Sequence, residues 1–378
     1  MSNISFLPRQ LLPVENGSGD LKIMTYNTLA QSLIRRSRYP TNGNAVKWGP
    51  RSKALEEQIK AYSPDILALQ EVDSASLSFW NAIMESMGLD GCFYCSPGKR
   101  HGLYLAWRKS LYQQHGKRTV TYDRSKLQIP RQVDTGNVGL LVSLKSTSSN
   151  AALPPLVLAT THLYWHPMAS FERARQLHGL FEATQQFAKE VDGAPKLVVL
   201  GDFNFEPFDP PYLLARGLHL NDRATEILQK STTHSDFGAA PPINLPEQPE
   251  VHVNARPPVP TLLDLENQSA LEILQTAYAA LNVQVVSAYG RYHEVHPENS
   301  GANGEPRYTN WADDFQGTLD YIFFLKWKHE PVEKDPVIIH ELLRIPEEAE
   351  LGPMPNSLPR RALNPSDHFA LLASVSWN

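Results

Sequence analysis

The nine residues VLGDFNFEP, at positions 199–207, decide how the rest of the sequence is interpreted. The apolar run Lys196–Gly201 predicts a buried strand, and Asp202 and Asn204 follow it two residues apart. A buried strand that ends in a carboxylate and an amide presents both groups at the rim of a sheet, where loops can converge on one crevice. If that crevice is functional, other strands must end in polar side chains as well.

Polar side chains stand at the boundaries of further predicted strands. They are Asn27 in TYNTL, Glu71 in LQEVD, His162 in TTHLYWHP, Asp320 in TLDY, and Asp367 and His368 in NPSDHF. Each one alone fits a turn residue, a helix cap or a hydrogen-bonded structural histidine. Their joint occurrence favours a shared site, because these are the groups that bind a hard metal ion and handle protons.

The residue types predict phosphoryl transfer with a hard divalent cation. Carboxylate and amide oxygens suit Mg²⁺, and Glu71 is the predicted metal ligand. Asp202 is suited to orient or deprotonate an attacking water, and Asn204 to hydrogen-bond that water or the phosphate. His368, if Asp320 orients it, can donate a hydrogen bond to charge that builds on the phosphorus oxygens.

Composition excludes several classes of protein. The 378 residues carry a formal net charge of −5 with a pI of about 6.2, so no basic field attracts polyanions at long range. The two cysteines, Cys92 and Cys95, lack a second Cys/His cluster for a zinc site and indicate reduced thiols in an intracellular protein. We expect neither a signal peptide nor a membrane span, because no apolar segment has the required length or flanks.

The domain organisation is predicted from breaks in the hydrophobic pattern. We expect one α/β domain over residues 21–378, a loose lead over residues 1–20, and a surface insertion at the proline-dense stretch of about 239–262. Hydrophobic periodicity predicts helices over 48–61, 76–87 and 170–191, the last capped by Ser170, and strands over 21–30, 65–72, 92–96, 102–107, 136–144, 155–163, 196–201, 318–325 and 369–377.

The order of the motifs resembles that of a known superfamily. YNTL, LQEV, TTHL, GDFN, LDYIFF and PSDHFALLA occur in the order used by the endonuclease/exonuclease/phosphatase superfamily, from about Leu21 to Trp377. The segments THLYWHP and FQGTLDYIFF are similar to its deadenylase-like branch, which includes nocturnin and the angel proteins. HGLYLAWRKSLY and LYWHPMASFERARQ most resemble the fungal Ngl-type RNA exonucleases of that branch.

The resemblance implies a fold and a set of roles. The fold is a deoxyribonuclease-like four-layer sandwich, with two mixed β-sheets packed face to face and flanked by helices. Glu71 becomes the principal metal ligand, and the phosphate and metal site is completed by Asn27, His162, Asp202, Asn204, Asp320 and His368. The metal is Mg²⁺, with Mn²⁺ as a substitute, and Asn27, Asp202 and Asp367 are further metal contacts. Pro167 and Phe315 contact the base of the terminal nucleotide.

Aromatic and basic residues near these motifs leave two interpretations open. Most of Tyr164, Trp165, Phe203 and Phe205 fit core packing, whereas Phe315 is predicted to stack on a base. The basic stretches IRRSRYP and GKRHG fit solvated loops, and alternatively phosphate contacts along a single strand.

The resulting hypothesis is a Mg²⁺-dependent 3′→5′ exoribonuclease that releases nucleoside monophosphates, with poly(A) preference left open. Two alternatives remain: a phosphatase or phosphodiesterase acting on a small phosphorylated molecule or nucleotide cofactor, and a non-enzymatic RNA-binding scaffold. The expected partner is the 3′ end of single-stranded RNA. We expect a cytoplasmic or nuclear monomer, without the leucine-rich-repeat docking region of the large deadenylase complex and without membrane attachment.

Overall fold

Two mixed β-sheets form the centre of the fold in a computed structural model that describes residues 5–124, 133–147, 153–233, 267–330 and 335–377. The predicted proline-rich insertion at about 239–262 lies outside the described residues. The strands are β1 (Leu11–Pro13), β2 (Leu21–Asn27), β3 (Ile66–Asp73), β4 (Leu89–Tyr94), β5 (His101–Arg108), β6 (Tyr112–Thr121), β7 (Val138–Ser146), β8 (Leu156–His162), β9 (Lys196–Asp202), β10 (Val283–Ser287), β11 (Asn310–Trp311), β12 (Gln316–Gly317), β13 (Asp320–Trp327), β14 (Val337–Leu343) and β15 (Leu371–Trp377).

The strands form two large sheets and one small hairpin. The first sheet has seven strands in the order β1-β14-β15-β2-β3-β5-β4, and the second has six in the order β10-β13-β9-β8-β7-β6. Strands β11 and β12 pair with each other as the hairpin. The helices are α1 (Trp48–Tyr62), α2 (Leu77–Ser86), α3 (Ser170–Ala188), α4 (Pro210–Ala215), α5 (Asp222–Thr233), α6 (Asn267–Ala280) and α7 (Tyr292–Val295).

Alternation of apolar side chains along the strands creates the layers. In β2, Ile23 faces the core between the sheets, whereas Met24 and Tyr26 face the opposite side, where they pack with α1 and α2. The second sheet repeats this arrangement, because its outer face packs with α3, α5 and α6 around residues such as Phe171 and Leu228. The predicted four-layer fold of two mixed sheets flanked by helices is confirmed.

Each large sheet contains one parallel pair among its described strands. β2 pairs in parallel with β3, and β8 pairs in parallel with β9. Parallel neighbours end at the same edge, so β2 and β3 bring Asn27 and Glu71 together while β8 and β9 bring His162 and Asp202 together. The packing of the two sheets then places these two edges side by side, which positions the site described below.

Some local predictions differ from the structure. The expected loose lead contains β1, whose Leu11 pairs with Leu343 at the edge of the first sheet. Ser170 is the first residue of α3 and not its cap, since its hydroxyl is buried without a hydrogen-bond partner. Strand β6 lies at a sheet edge and has mostly exposed side chains. Its sequence therefore lacks the apolar alternation from which a strand is predicted.

No helix in the described ranges combines the length and the apolar character needed to cross a bilayer.

Candidate active site

The predicted polar residues meet at one edge of the sandwich, on an oxygen of Asp202. The amide Nδ2 of Asn27 donates a hydrogen bond to Asp202 Oδ2 at 2.8 Å. The Nε2 atoms of His162 and His368 lie 3.5 and 3.7 Å from the same oxygen. These three side chains come from β2, from β8 and from the loop that precedes β15, so both sheets contribute to one cluster. Asp202 is 1% exposed, which makes this a largely enclosed anionic centre.

Glu71 enters this cluster because β3 is irregular at that point. The pairing of β3 with β5 shifts register between Leu69 and Val72, and Glu71 adopts a left-handed backbone with φ of 58°. A bulge of this kind re-aims a side chain, and a positive φ is uncommon for a residue other than glycine. Glu71 Oε2 accepts the Ala30 N–H at 2.8 Å, and Oε1 accepts Asn27 Nδ2 at 3.3 Å.

Asn27 therefore connects the two carboxylates of the site. Its Nδ2 donates to both Glu71 and Asp202, while its Oδ1 accepts the Leu29 N–H at 3.0 Å. These bonds fix the amide orientation. The amide carries no charge, so among the described residues these two carboxylates are balanced only by the neighbouring histidines, an environment that a metal cation would suit.

Asn204 lies on the rim of the site. Its N–H donates to Asp202 Oδ1 at 3.0 Å in an Asx-turn-like arrangement, and its φ is 52°. Its side-chain Nδ2 donates to the Leu163 carbonyl at 2.9 Å, which links the loops that follow β8 and β9. Asn204 thus holds Asp202 in place and joins two loops of the site.

His368 and Asp320 form a buried pair beside Asp202. Asp320 is the register partner of Asp202 across β13 and β9. Its Oδ2 contacts His368 Nδ1 at 2.8 Å and accepts the hydroxyl of Thr309 at 2.7 Å. This contact orients the imidazole so that its Nε2 faces the cluster, as the sequence predicts for an oriented histidine.

Opposing charges set the protonation of the groups in the cluster. Burial acts to lower the pKa of His368, but the carboxylates of Asp320, Asp202 and Asp367 outweigh it and raise that pKa well above its ordinary value. For Glu71, burial acts to raise the pKa, but His162, His101 and the Ala30 N–H bring it below its ordinary value. The histidine is therefore held as a cation and Glu71 as an anion.

Asp367 lies within electrostatic reach of Glu71. Its Oδ2 accepts the hydroxyl of Tyr39 at 3.3 Å. Burial is the main cause of its raised pKa, and the neighbouring charge of Glu71 adds to it while His368 and Arg51 oppose it. Asp367 is within electrostatic reach of the predicted metal ligand, although its position is peripheral to the contacts around Asp202.

Arg51 of α1 is a site-positioning residue that no sequence motif indicates. It is 1% exposed and donates to the carbonyls of Thr28, Leu29 and Pro365. These carbonyls belong to the loop after β2 and the loop before β15, so one guanidinium ties together the segments that carry Asn27 and His368. The hydrophobic pattern of α1 does not distinguish Arg51 from the other polar residues of the helix.

His101 is a second residue whose role the sequence argument did not identify. It begins β5 opposite Asp73, and burial lowers its pKa while the charge of Glu71 opposes the shift. With Lys99, Asn137 and His162 it lines a pocket beside the cluster. The sequence left two interpretations of the GKRHG stretch, a solvated loop or phosphate contacts. In the structure, its Lys99 and His101 line this pocket.

The two predicted base-contact residues lie outside the cluster, on two exposed loops. Pro167 is exposed in the loop between β8 and α3, and Phe315 is 39% exposed on the hairpin β11–β12. Phe203 and Phe205 are 0% and 1% exposed, so they belong to the core as expected. Trp165, at 55% exposure, is instead available at the surface.

The donor set fits a hard divalent cation. The described groups that could hold a metal include Asp202, Asp320 and His368, whose ligand atoms lie within 4.8 Å of one another. Asp320 and His368 are already hydrogen-bonded to each other, whereas the carboxylates of Glu71 and Asp202 face only histidines as cationic partners in the part of the chain that the structure describes, and could hold a metal ion. Asp202 is a member of both groups, the one with Asp320 and His368 and the pair with Glu71.

Solved structures share this architecture over the whole chain. A crystal structure of ANGEL2, described as a 2′,3′-cyclic phosphatase, covers 98% of this chain and 99% of its own with a TM-score of 0.68 at 22% identity. The human nocturnin catalytic domain covers 98% of both chains with a TM-score of 0.60 at 20% identity. At these identities the likeness defines the fold class and nothing more.

The sequence itself shows the family. Residues 24–368 match the Endonuclease/Exonuclease/phosphatase family, and the chain belongs to that family. The probable RNA exonuclease NGL3 of Saccharomyces cerevisiae is 32% identical, with 99% of this chain and 83% of that protein aligned. RNA exonuclease NGL2 of the same yeast is 34% identical over 81% of this chain and 66% of that protein, and a probable RNA exonuclease of Schizosaccharomyces pombe is 32% identical over 99% and 81%. The resemblance to the Ngl-type branch and the prediction of a hydrolytic enzyme are confirmed.

Proposed function

We propose that this chain is a Mg²⁺-dependent 3′→5′ exoribonuclease that releases nucleoside 5′-monophosphates from single-stranded RNA. The observation that carries the proposal is the convergence of Asn27, His162 and His368 on Asp202 Oδ2. The names of the yeast relatives support RNA as the substrate and exonucleolytic cleavage as the reaction.

The chain's own residues have separable roles in this reaction. Asp202 orients and deprotonates the attacking water, since its Oδ1 is held by the Asn204 N–H and its Oδ2 faces the imidazoles. The Nε2 atoms of His162 and His368, at 3.5 and 3.7 Å, are too far from Asp202 for a good hydrogen bond. They are therefore placed to donate to the non-bridging oxygens of a phosphodiester.

The metal contacts proposed here are Glu71 and Asp202, with Asn27 and Asp367 beside them. When bound, Mg²⁺ would neutralise a phosphate oxygen and support the leaving oxyanion, and Mn²⁺ would substitute for it. Glu71 is held as an anion for this purpose by the positive groups around it. Asp320 acts through His368 by fixing its ring.

Exposed apolar side chains beside the cluster support a nucleic-acid substrate. Four of the seven large hydrophobic side chains that are exposed in the described residues lie on three loops near the site: Trp165, Met168, Phe208 and Phe315. Base–aromatic stacking binds single strands without needing a basic surface. This agrees with the net charge of −5, which provides no long-range attraction for RNA.

A labelled oligoribonucleotide tests the proposal. With a 5′ label and Mg²⁺, the protein should produce a ladder that shortens from the 3′ end, and EDTA should stop it. Glu71→Gln keeps the shape of the side chain and should abolish shortening, whereas Glu85→Gln, whose side chain is 79% exposed on α2, should leave it unchanged. Intact RNA with the wild-type protein would refute the proposal. Phosphate release from a small phosphorylated molecule without RNA shortening would support the alternative phosphatase.

A further inference from the structure

The carboxyl of Glu206 lies against the hairpin that carries Phe315. A β-carbon built on Gly317 would stand 2.6 Å from Glu206 Oε1 and 2.7 Å from Phe315 Cζ. Such distances are too short for a real β-carbon, so in this structure the carboxyl and the ring both lie directly over the Gly317 backbone. The half-buried carboxyl and the exposed ring thus lie beside each other.

Two hydrogen bonds and one charge attraction link Glu206 to Pro167. Arg173 of α3 donates to the Pro167 carbonyl at 3.1 Å and is attracted to the carboxylate of Asp209. Asp209 Oδ2 accepts the backbone N–H of Glu206 at 2.9 Å. Because Arg173 is 3% exposed, this linkage is a built part of the fold that sets Pro167 and Glu206 in fixed relation.

The surroundings of Glu206 leave its carboxyl available to a ligand. Burial is the main cause of its raised pKa, about 7, and the charge of Asp209 adds to it. Arg173 and Arg223 act to lower the pKa of the neighbouring Asp209. Burial keeps the nearby Tyr321 phenol neutral. Asp313 and Asp314 of the hairpin are exposed on its turn. No ion pair to the Glu206 carboxyl is found among the described residues, and its exposed part can hydrogen-bond a ligand.

We propose that Glu206 reads the base of the 3′-terminal nucleotide by hydrogen-bonding the edge of an adenine stacked on Phe315. The inference rests on the proposed function and adds its substrate preference. On its Watson–Crick edge, adenine presents a ring nitrogen that accepts a hydrogen bond and an amino group that donates one. A neutral carboxyl matches both, because its O–H donates and its C=O accepts. Cytosine has the same pair on a smaller ring, whereas guanine and uracil present an N–H where adenine presents the acceptor.

The proposal fixes the direction of a pH dependence. Below about pH 7 the carboxyl is protonated and complementary to adenine. As pH rises above that value, the carboxylate can only accept, so the adenine pairing weakens while the two N–H donors of guanine become complementary. The ratio of adenine to guanine affinity therefore falls with rising pH.

Binding of mononucleotides tests this without requiring turnover. Titration calorimetry with AMP, CMP, GMP and UMP in Mg²⁺ at pH 6 and pH 8.5 should show AMP preferred over GMP by about tenfold at pH 6, with the preference largely lost at pH 8.5. Glu206→Gln carries an amide that donates and accepts at every pH, so it should keep the preference at both. Glu206→Ala should lose it, and Glu298→Gln, whose side chain is 61% exposed, should behave as wild type.

The outcomes separate this inference from the proposed function. An AMP to GMP ratio that is the same in wild type and Glu206→Ala, or the same at both pH values in wild type, overturns base reading by Glu206. Failure of RNA shortening while the Glu206-dependent ratio persists overturns the exoribonuclease proposal and leaves the nucleotide subsite standing. Thermal melting of each variant establishes that it is folded before it is compared.

Discussion

At the scale of single residues, Asp202 is the carboxylate around which the other site residues are arranged. One of its oxygens is approached by side chains from both sheets, and the other is held by the backbone of Asn204. Asn204 and Glu71 both have a positive φ, which asparagine tolerates and which is uncommon for glutamate. Motif spacing identified these residues as a set, but which atom each presents depends on backbone angles that no spacing encodes.

Removal of the His368 side chain should reduce the rate of the chemical step more than substrate binding. His368→Ala should lower kcat by about 10²- to 10³-fold with KM changed less than about threefold, because a donor aimed at the phosphate acts mainly in the transition state. Initial rates over a range of RNA concentrations measure both constants. The exposed His219→Ala variant should match wild type, and equal losses in kcat and affinity would contradict a transition-state role.

At the scale of elements, the close approach of β8 and β9 positions two members of the site. Gly201 has φ of 155°, and a β-carbon there would stand 2.2 Å from the Thr161 carbonyl oxygen. The glycine therefore allows the parallel pairing that sets His162 opposite Asp202. The sequence identified both strands from their apolar runs, whereas their pairing in parallel required the three-dimensional structure.

Gly201→Ala should consequently separate β8 from β9 and damage both stability and activity. The strain predicts a loss of more than about 1 kcal/mol in the free energy of unfolding, since a side chain must displace backbone there. Urea denaturation measures it. Gly49→Ala in α1 is the matched control, because a β-carbon at Gly49 meets nothing within 4 Å, and it should be neutral or slightly stabilising. Equal stability of the two variants would contradict the packing argument.

At the scale of the whole molecule, the core buries a carboxyl that is remote from the catalytic cluster. Glu305 is 0% exposed and accepts the hydroxyl of Tyr212 at 2.8 Å. Burial raises its pKa from 4.5 to about 7, against the opposing effects of Ser287, Tyr212 and Arg216. The folded protein therefore holds a proton that the unfolded chain releases between these pH values.

This group should make the protein less stable as pH rises from about 4.5 to 7. The folded state binds more protons in that window, so the free energy of unfolding falls with pH, by about 3 kcal/mol in total. Glu305→Gln removes the titration, and its stability relative to wild type should rise by about that amount between pH 4.5 and pH 8. Denaturation curves at both pH values measure the difference, with Glu298→Gln as the exposed control. A constant difference across the range would contradict the raised pKa.

The sequence by itself determined the strands that carry the site, the polar residues at their ends, and the family to which the chain belongs. These follow from local patterns, because hydrophobic periodicity and short motifs are properties of neighbouring residues. The tertiary structure decided that Asn27 bridges Glu71 and Asp202, that Arg51 ties two distant loops, and that Glu206 meets Phe315 over Gly317. Those contacts join residues up to hundreds of positions apart, and they exist only because two twisted sheets pack with their polar edges together.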